Sequence, residues 1–320
     1  MATPRRGLAI GCGGTLGFAW TAVALDAVER ELGWDCRTAE VLVGTSAGSE
    51  IVAALGSGRT AADLLAALDG DPGADPVLAA HLAHHPGAAP PVPSLRFPGP
   101  GLLRAGLRDR STYTALAGLL PAGRGDAAWL HALGDSLAGA DGWVAHPHTW
   151  IVATDTATGE RVAFGSDAAP RVGLGTAIAA SWAIPGWFPP VPVDGRRFLD
   201  GGSSSSVSAD LLLPLDLDEV VVVAPMTSAG GQPARGPARV ERLLRAQMTR
   251  GLDREVALLR GAGVRVIRVE PTRADLDAMG ANFMDLRRRP ATLASARRTA
   301  ADNVARAVAA GDRTHRGVTA

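Results

Sequence analysis

Twice within the first 56 residues a short apolar run passes through a glycine-rich turn into a helical stretch. The first unit begins at Gly7, turns through GCGGTLG (Gly11 to Gly17) and continues as a helix from Thr15 to about Leu32, stopped by Gly33. The second has VLVG (Val41 to Gly44) as its strand and Ala47 to Leu55 as its helix, ended by GSG. Continuously apolar strands must be covered on both faces, and consecutive strand–helix units join by right-handed crossovers into a parallel sheet. The chain is therefore expected to be α/β, a three-layer α/β/α arrangement around a mostly parallel central sheet.

Strand signals return at Trp150 to Ala153, Arg161 to Phe164, Glu219 to Ala224 and Val264 to Val269. Helical stretches lie near Ser111 to Leu120, Asp126 to Leu137, Arg235 to Leu259 and Ala291 to Ala310, and there is no internal repeat. Between Gly70 and Pro100 the composition shifts to Pro, Gly, Ala and three histidines, which reads as an irregular insertion after the second strand–helix unit. With the helices behind it, the variable segment from about 70 to 145 reads either as a lid or as a flexible surface loop. The expectation is a single domain over residues 1–320, with C-terminal helices and the last strand in 235–320.

Composition removes several chemistries. All 32 basic residues are Arg. Without Lys there is no P-loop, no pyridoxal Schiff base and no Ser-Lys hydrolase. Net charge is +0, so nothing global favours nucleic acid, although residues 235–320 hold 18 Arg against 9 acids. That excess reads as solvated helix faces or as attraction to anionic lipid headgroups. Cys12 and Cys36 are too few for a disulfide scaffold and lack zinc-site clustering, so free buried thiols and no metal are expected. The N-terminus lacks a signal-peptide core, and no apolar run approaches the ~18 residues of a membrane span. These features read as a soluble, cytoplasmic chain.

The most specific local signal is GTSAG (Gly44 to Gly48), placed where a buried strand enters a helix. GxSxG in that context is a nucleophile elbow: the serine sits on a tight turn, and the glycines remove Cβ atoms that would clash. A serine nucleophile needs oxyanion donors, and GCGGTLG offers free backbone N–H groups at a helix N-terminus. As a dinucleotide loop it fails, because the sixth position of GxGxxG is Leu16; a plain tight turn remains the alternative. The seven histidines do not suit a Ser–Asp–His order, because the only late one is His315 in a polar tail, while His84 and His85 fall in the insertion as exposed loop residues. A carboxylate base remains. Asp200, in FLDGG, follows apolar residues and precedes two glycines, as at a strand end, though alone this is an ordinary turn.

Four blocks in order, GCGGTLG, GTSAG, ASWAIPGWFPP (Ala180 to Pro190) and DGGS at Asp200, resemble the patatin-like phospholipases over about two thirds of the chain. The resemblance implies a Ser-Asp dyad without histidine or cofactor. Ser46 would be the nucleophile, Asp200 the base, and Gly13, Gly14 and Thr15 the oxyanion donors. Family members usually carry Arg or Lys where this chain has Leu16, so that position supplies no cation on the headgroup side. Burial beside Phe198 and Leu199 would raise the Asp200 pKa from its ordinary ~3.9 toward that of a useful base. Trp182, Ile184, Trp187 and Phe188 are either an acyl pocket or core packing, and Asp155 either supports the site or only forms an Asx turn. The function implied is a phospholipase A-type serine acyl hydrolase acting on carboxylic esters of lipids, with peripheral contact to a membrane. The same dyad also suits an acyltransferase or thioesterase, and a non-catalytic lipid-binding protein is the third reading.

Overall fold

The computed structural model describes residues 4–84, 86–109, 111–228, 231 and 238–318. Its strands are β1 (Arg6–Ile10), β2 (Val41–Thr45), β3 (Thr149–Asp155), β4 (Arg161–Phe164), β5 (Val191–Val193), β6 (Arg196–Asp200), β7 (Glu219–Val223) and β8 (Arg265–Val269). The helices are α1 (Gly14–Leu32), α2 (Ala47–Gly56), α3 (Ala61–Asp69), α4 (Pro76–Ala83), α5 (Gly101–Arg108), α6 (Thr112–Leu119), α7 (Ala128–Leu137), α8 (Leu174–Ser181), α9 (Ala238–Gly261), α10 (Arg273–Met279) and α11 (Arg289–Val318).

The strands form one sheet in the order β5-β6-β3-β2-β1-β7-β8, with β4 also paired to β3. From β3 through β2, β1 and β7 to β8 every pairing is parallel, whereas β4, β5 and β6 add an antiparallel edge. Every residue of β2 and β7 is buried, as continuous apolar runs require. Alternation along the strands splits the core in two. Leu8, Ile10, Leu42, Val221 and Ile267 face the side carrying α1, α2 and α11. Ala9, Val41, Val43, Val220 and Val222 face the side where Leu252, Val256 and Leu259 of α9 pack. This is the α/β architecture expected, with helices on both faces of a mostly parallel sheet. Glu219 opens β7 in full burial and is made tolerable by the neighbouring strands, since Arg6 reaches it at 2.6 Å and Arg265 pairs with its other oxygen.

The chain leaves β1 toward β2 on one side and later returns as β7 on the other, so the carboxyl end of β1 is a topological switch point, where open α/β sheets form a crevice. Both glycine turns lie at this end.

The segment read as irregular holds a helix, α4, with Pro76 in its first turn and the Asp75 carboxylate accepting from the N–H groups of Val77 and Leu78. Pro and Gly density hid that cap. His85 and residues 235–237 of the expected C-terminal helix lie outside the described residues. Helices α5 and α6 form a hairpin packed through glycines: a Cβ on Gly106 would lie 2.3 Å from the Ala115 nitrogen, and one on Gly118 2.7 Å from the Leu103 nitrogen. A Cβ on Gly101, at the start of α5, would lie 2.2 Å from the Ala157 carbonyl, so the hairpin is seated on the β3–β4 turn.

Replacing Gly106 with Val should unseat this hairpin at a cost of about 1–3 kcal/mol while leaving the sheet intact. Limited proteolysis should then cut faster within 101–119 at unchanged far-UV circular dichroism; an unaltered cleavage pattern would contradict the packing.

Candidate active site

Ser46 sits between β2 and α2 with φ 54° and ψ −121°, a conformation that costs a non-glycine residue about 1–3 kcal/mol. The surrounding sequence enforces it. A Cβ on Gly48 would lie 2.2 Å from the Ile10 carbonyl oxygen, and one on Gly44 would lie 2.4 Å from the Gly48 carbonyl oxygen. Only glycine at both positions lets α2 start against the end of β1. The Ser46 N–H donates to Ser181 Oγ at 2.8 Å, and Ser181 Oγ donates to the Val152 carbonyl at 2.6 Å. Ser49 Oγ donates to the Ser46 carbonyl at 2.6 Å. Ser181 therefore ties the elbow to β3. Sequence reasoning missed it, because nothing in its spacing separates this serine from its small neighbours.

Asp200 ends β6 opposite Ala153, and its N–H donates to the Ala183 carbonyl at 3.0 Å, so the segment after Ser181 also sets the height of Asp200. Its carboxylate accepts from the Gly202 N–H at 2.7 Å, and the Ser46 side chain lies close enough to lower its pKa. Burial pushes its pKa up to about 7, against the opposing effect of Ser46 and of the bond from Gly202. Phe198 and Leu199 are both buried beneath it, as the sequence led one to expect.

The glycine loop runs from β1 into α1, across the start of α2. Gly14 has φ +57°, and a Cβ there would lie 2.5 Å from Phe283 Cδ2. The Leu16 N–H donates to the Phe283 carbonyl at 3.0 Å and the Gly17 N–H to the Gly13 carbonyl at 2.9 Å. The N–H groups of Gly13, Gly14 and Thr15 have no hydrogen-bond partner among the described residues. Neither α1 nor α2 has a side-chain N-cap bond, so two uncapped helix N-termini meet at the elbow with their positive ends. Leu16 is fully buried in the core. At this position the side chain turns inward, away from any headgroup.

Two further residues flank the carboxylate. Gly202 lies so close to Cys12 that a Cβ would be 3.1 Å from its Sγ. Burial first, then the charge of Asp200, raises the Cys12 thiol well above its ordinary range, so it stays protonated. Tyr113, from α6, is a phenol raised in the same way by burial and by Asp200. Cys12, Met226 and Met248 pack with Tyr113, Leu244 and Phe283 into an apolar patch beside Asp200. A link between 113 and 200 is invisible in sequence, because only the docking of α6 creates it: Thr114 Oγ1 donates to the Ser203 carbonyl at 2.7 Å.

Trp182, Trp187 and Phe188 are buried in the main core, with Ile184 packed against it. The insertion covers them, since Gly125 N–H donates to the Trp187 carbonyl at 2.8 Å and Gly123 N–H to the Phe188 carbonyl at 3.2 Å. These four residues pack in or against the core. Trp182 also borders a narrow cavity, beside Thr15, Glu50 and His81, and Phe188 lines another with Gly125, Pro189 and Pro192. His81 is buried against Glu50 at 2.6 Å, while His146 and His148 bond the carbonyls of Ala39 and Glu40. Asp155 accepts from the Ala157 N–H at 2.6 Å and pairs with Arg196 at 2.6 Å, which is the Asx-turn alternative. Among the described residues no cluster of His, Cys, Asp or Glu is placed to hold a metal ion, and no helix is long and apolar enough to cross a membrane.

A carboxyl whose folded pKa lies near 7 rather than ~3.9 keeps its proton in the folded state alone between those values, so it erodes stability as pH rises from about 4 to 7. Asp200→Asn should remove that loss. Its melting temperature is expected to exceed the wild type's by roughly 2–6 °C at pH 8 and by much less at pH 5; equal shifts at both values would show that the carboxyl is not raised.

Comparison with known proteins adds an independent finding. No curated protein sequence matches the chain. Among solved structures it is similar to VipD from Legionella pneumophila, at 16% identity over 97% of this chain and 68% of that one, with a TM-score of 0.44. The family model of the patatin-like phospholipases matches residues 144–213, the stretch that runs from β3 through Ser181 and the aromatic segment to Asp200 and the serines behind it. The resemblance carried by the glycine loop, the elbow, the ASWAIPGWFPP segment and the DGG turn is thus to the patatin-like phospholipases, the same family whose model matches the second half of that set.

Proposed function

We propose that this chain is a serine lipid acyl hydrolase acting through Ser46 and Asp200. The family match supports lipid acyl hydrolysis in general. The observation that carries the finer reading is the elbow that brings the Ser46 side chain to a buried carboxyl whose pKa is pushed up to about 7. Such a group is half ionised at neutral pH, and a base is most useful when its pKa lies near the working pH.

In the reaction Ser46 Oγ bonds to the ester carbonyl carbon while Asp200 takes the hydroxyl proton. The carbonyl oxygen becomes an oxyanion held by the N–H groups of Gly13, Gly14 and Thr15, donors with no partner among the described residues. Collapse breaks the ester C–O bond, and Asp200 returns the proton to the departing alkoxide, leaving an acyl-serine. Water then repeats the sequence: Asp200 takes its proton, the serine oxygen leaves, and the proton passes back to Ser46. No histidine is needed, because the raised carboxyl covers the same proton-transfer range. The apolar patch of Cys12, Met226 and Tyr113 keeps water sparse around the ion and strengthens the field from the two helix ends.

Ser46→Ala and Asp200→Asn should each lower turnover of p-nitrophenyl butyrate by about 10³-fold or more, and a fluorophosphonate should label the wild type but not Ser46→Ala. Full activity in Ser46→Ala would overturn the proposal. The base must be ionised, so kcat/KM should fall tenfold per pH unit below about 7 and level off above it. A profile flat from pH 5 to 8 would exclude Asp200 as the base.

A further inference from the structure

At the DGG turn lies a groove of about 390 Å³ lined by apolar, serine and charged side chains, Arg250, Asp253 and Arg254 among them. Gly202, the residue whose N–H holds Asp200, lines it together with Tyr113 and Met248 of the apolar patch. Another part of the wall is a single stripe of α9, Gln247, Arg250, Gly251 and Arg254, spaced so that all four face the same way. Gln247 is committed to α6: with its amide oxygen facing that helix it accepts from the N–H groups of Thr112 and Tyr113 at 3.0 and 2.8 Å. Arg250 and Arg254 are exposed and make no ion pair or hydrogen bond with any described residue.

Their neighbours are already neutralised. Arg161 is paired with Asp210 and Glu255, Arg108 with Asp109, and Asp253 with Arg268. Arg254 acts on Asp109 only at longer range. Gly251 stands between the two arginines in mid-helix, and a Cβ there would meet no atom within 4 Å, so the space beside it is open.

We infer that Arg250 and Arg254 form an anion subsite that takes a phosphate group of the substrate, with the acyl ester directed past Tyr113 and Met248 to Ser46. The inference rests on the hydrolase reading and adds to it the residues that meet the substrate's phosphate. Guanidinium groups suit phosphate oxygens, to which each donates two parallel hydrogen bonds. Helix α9 thereby supplies the cation that position 16, turned into the core as Leu16, does not.

The test compares wild type, Arg250→Gln/Arg254→Gln and Gly251→Leu on soluble dihexanoyl phosphatidylglycerol and on p-nitrophenyl butyrate, with and without inorganic phosphate. The ratio of kcat/KM for phospholipid to that for the neutral ester should fall at least about tenfold in both variants, driven by KM. If the anion bound is free phosphate instead of a headgroup, millimolar phosphate should inhibit neutral-ester hydrolysis by the wild type, and the double variant should lose that inhibition. A ratio held within twofold in both variants, with no phosphate inhibition, would overturn the inference and leave the hydrolase reading standing. Absence of turnover of either ester by folded wild-type protein would overturn the hydrolase reading, and the inference with it.

Discussion

The site depends on how closely helix α2 approaches the end of β1. With 2.2 Å between the Ile10 carbonyl oxygen and a Cβ placed on Gly48, no side chain fits there, and with none present the turn at Ser46 closes tightly enough to place the serine at the switch point of the sheet. The strain at Ser46 is borne by the surroundings: Ser181 satisfies its N–H, Ser49 its carbonyl, and β2 is buried on both sides. Because Ser181 is itself anchored on Val152 of β3, which pairs with Thr45, the elbow and the strand partnering β6 form one rigid frame. The Ser46–Asp200 distance is thus governed by sheet register, and flexible loops do not set it.

Electrostatics then follow from enclosure. A carboxylate beside Cys12 and Tyr113 finds few water molecules to solvate it, which raises its pKa, and the same enclosure raises the thiol and the phenol out of competition for its proton. The Ser46 side chain and the hydrogen bond from the Gly202 N–H act in the opposite direction and limit how far the carboxyl rises. The balance near neutrality is a property of three chain segments, the glycine loop, the DGG turn and helix α6, meeting at one point.

Much of this was legible in the sequence where local chemistry is decisive. VLVG and EVVVV read as buried strands because no partner arrangement other than a two-sided sheet covers them, and GTSAG reads as an elbow because the clash that Gly44 avoids, with the Gly48 carbonyl, is local. Ser46, Asp200, Gly13, Gly14 and Thr15 are brought to one end of the sheet by the order of the strands, a property their motifs announce only in combination. Other features depend on pairings that sequence does not encode locally. Helix α4 was hidden because its Asp75–Pro76 start lies in a stretch dominated by loop formers. Tyr113 and Ser181 carry no distinguishing neighbours. The aromatics around Trp187 have the same composition whether they line a groove or fill a core, and only the fold brings the covering segment at Gly123 to Gly125 over them.

The two helices nearest the DGG turn on this side, α6 and α9, come from segments that the parallel sheet does not need for its closure. The first belongs to the insertion between β2 and β3; the second follows β7 and meets α6 through Gln247. Helix α9 packs its Leu252, Val256 and Leu259 on the sheet while turning Arg250 and Arg254 outward, so one helix carries both a fixed face and a variable one. Side chains on the outer face change without disturbing the register that holds Ser46 and Asp200. In this chain Leu16 turns into the core, and the exposed arginines stand instead on the outer stripe of α9, a part of the fold that tolerates them. The register that holds Ser46 and Asp200 and the face that presents Arg250 and Arg254 are thereby carried by different layers of the molecule, with Gly202 and Tyr113 between them.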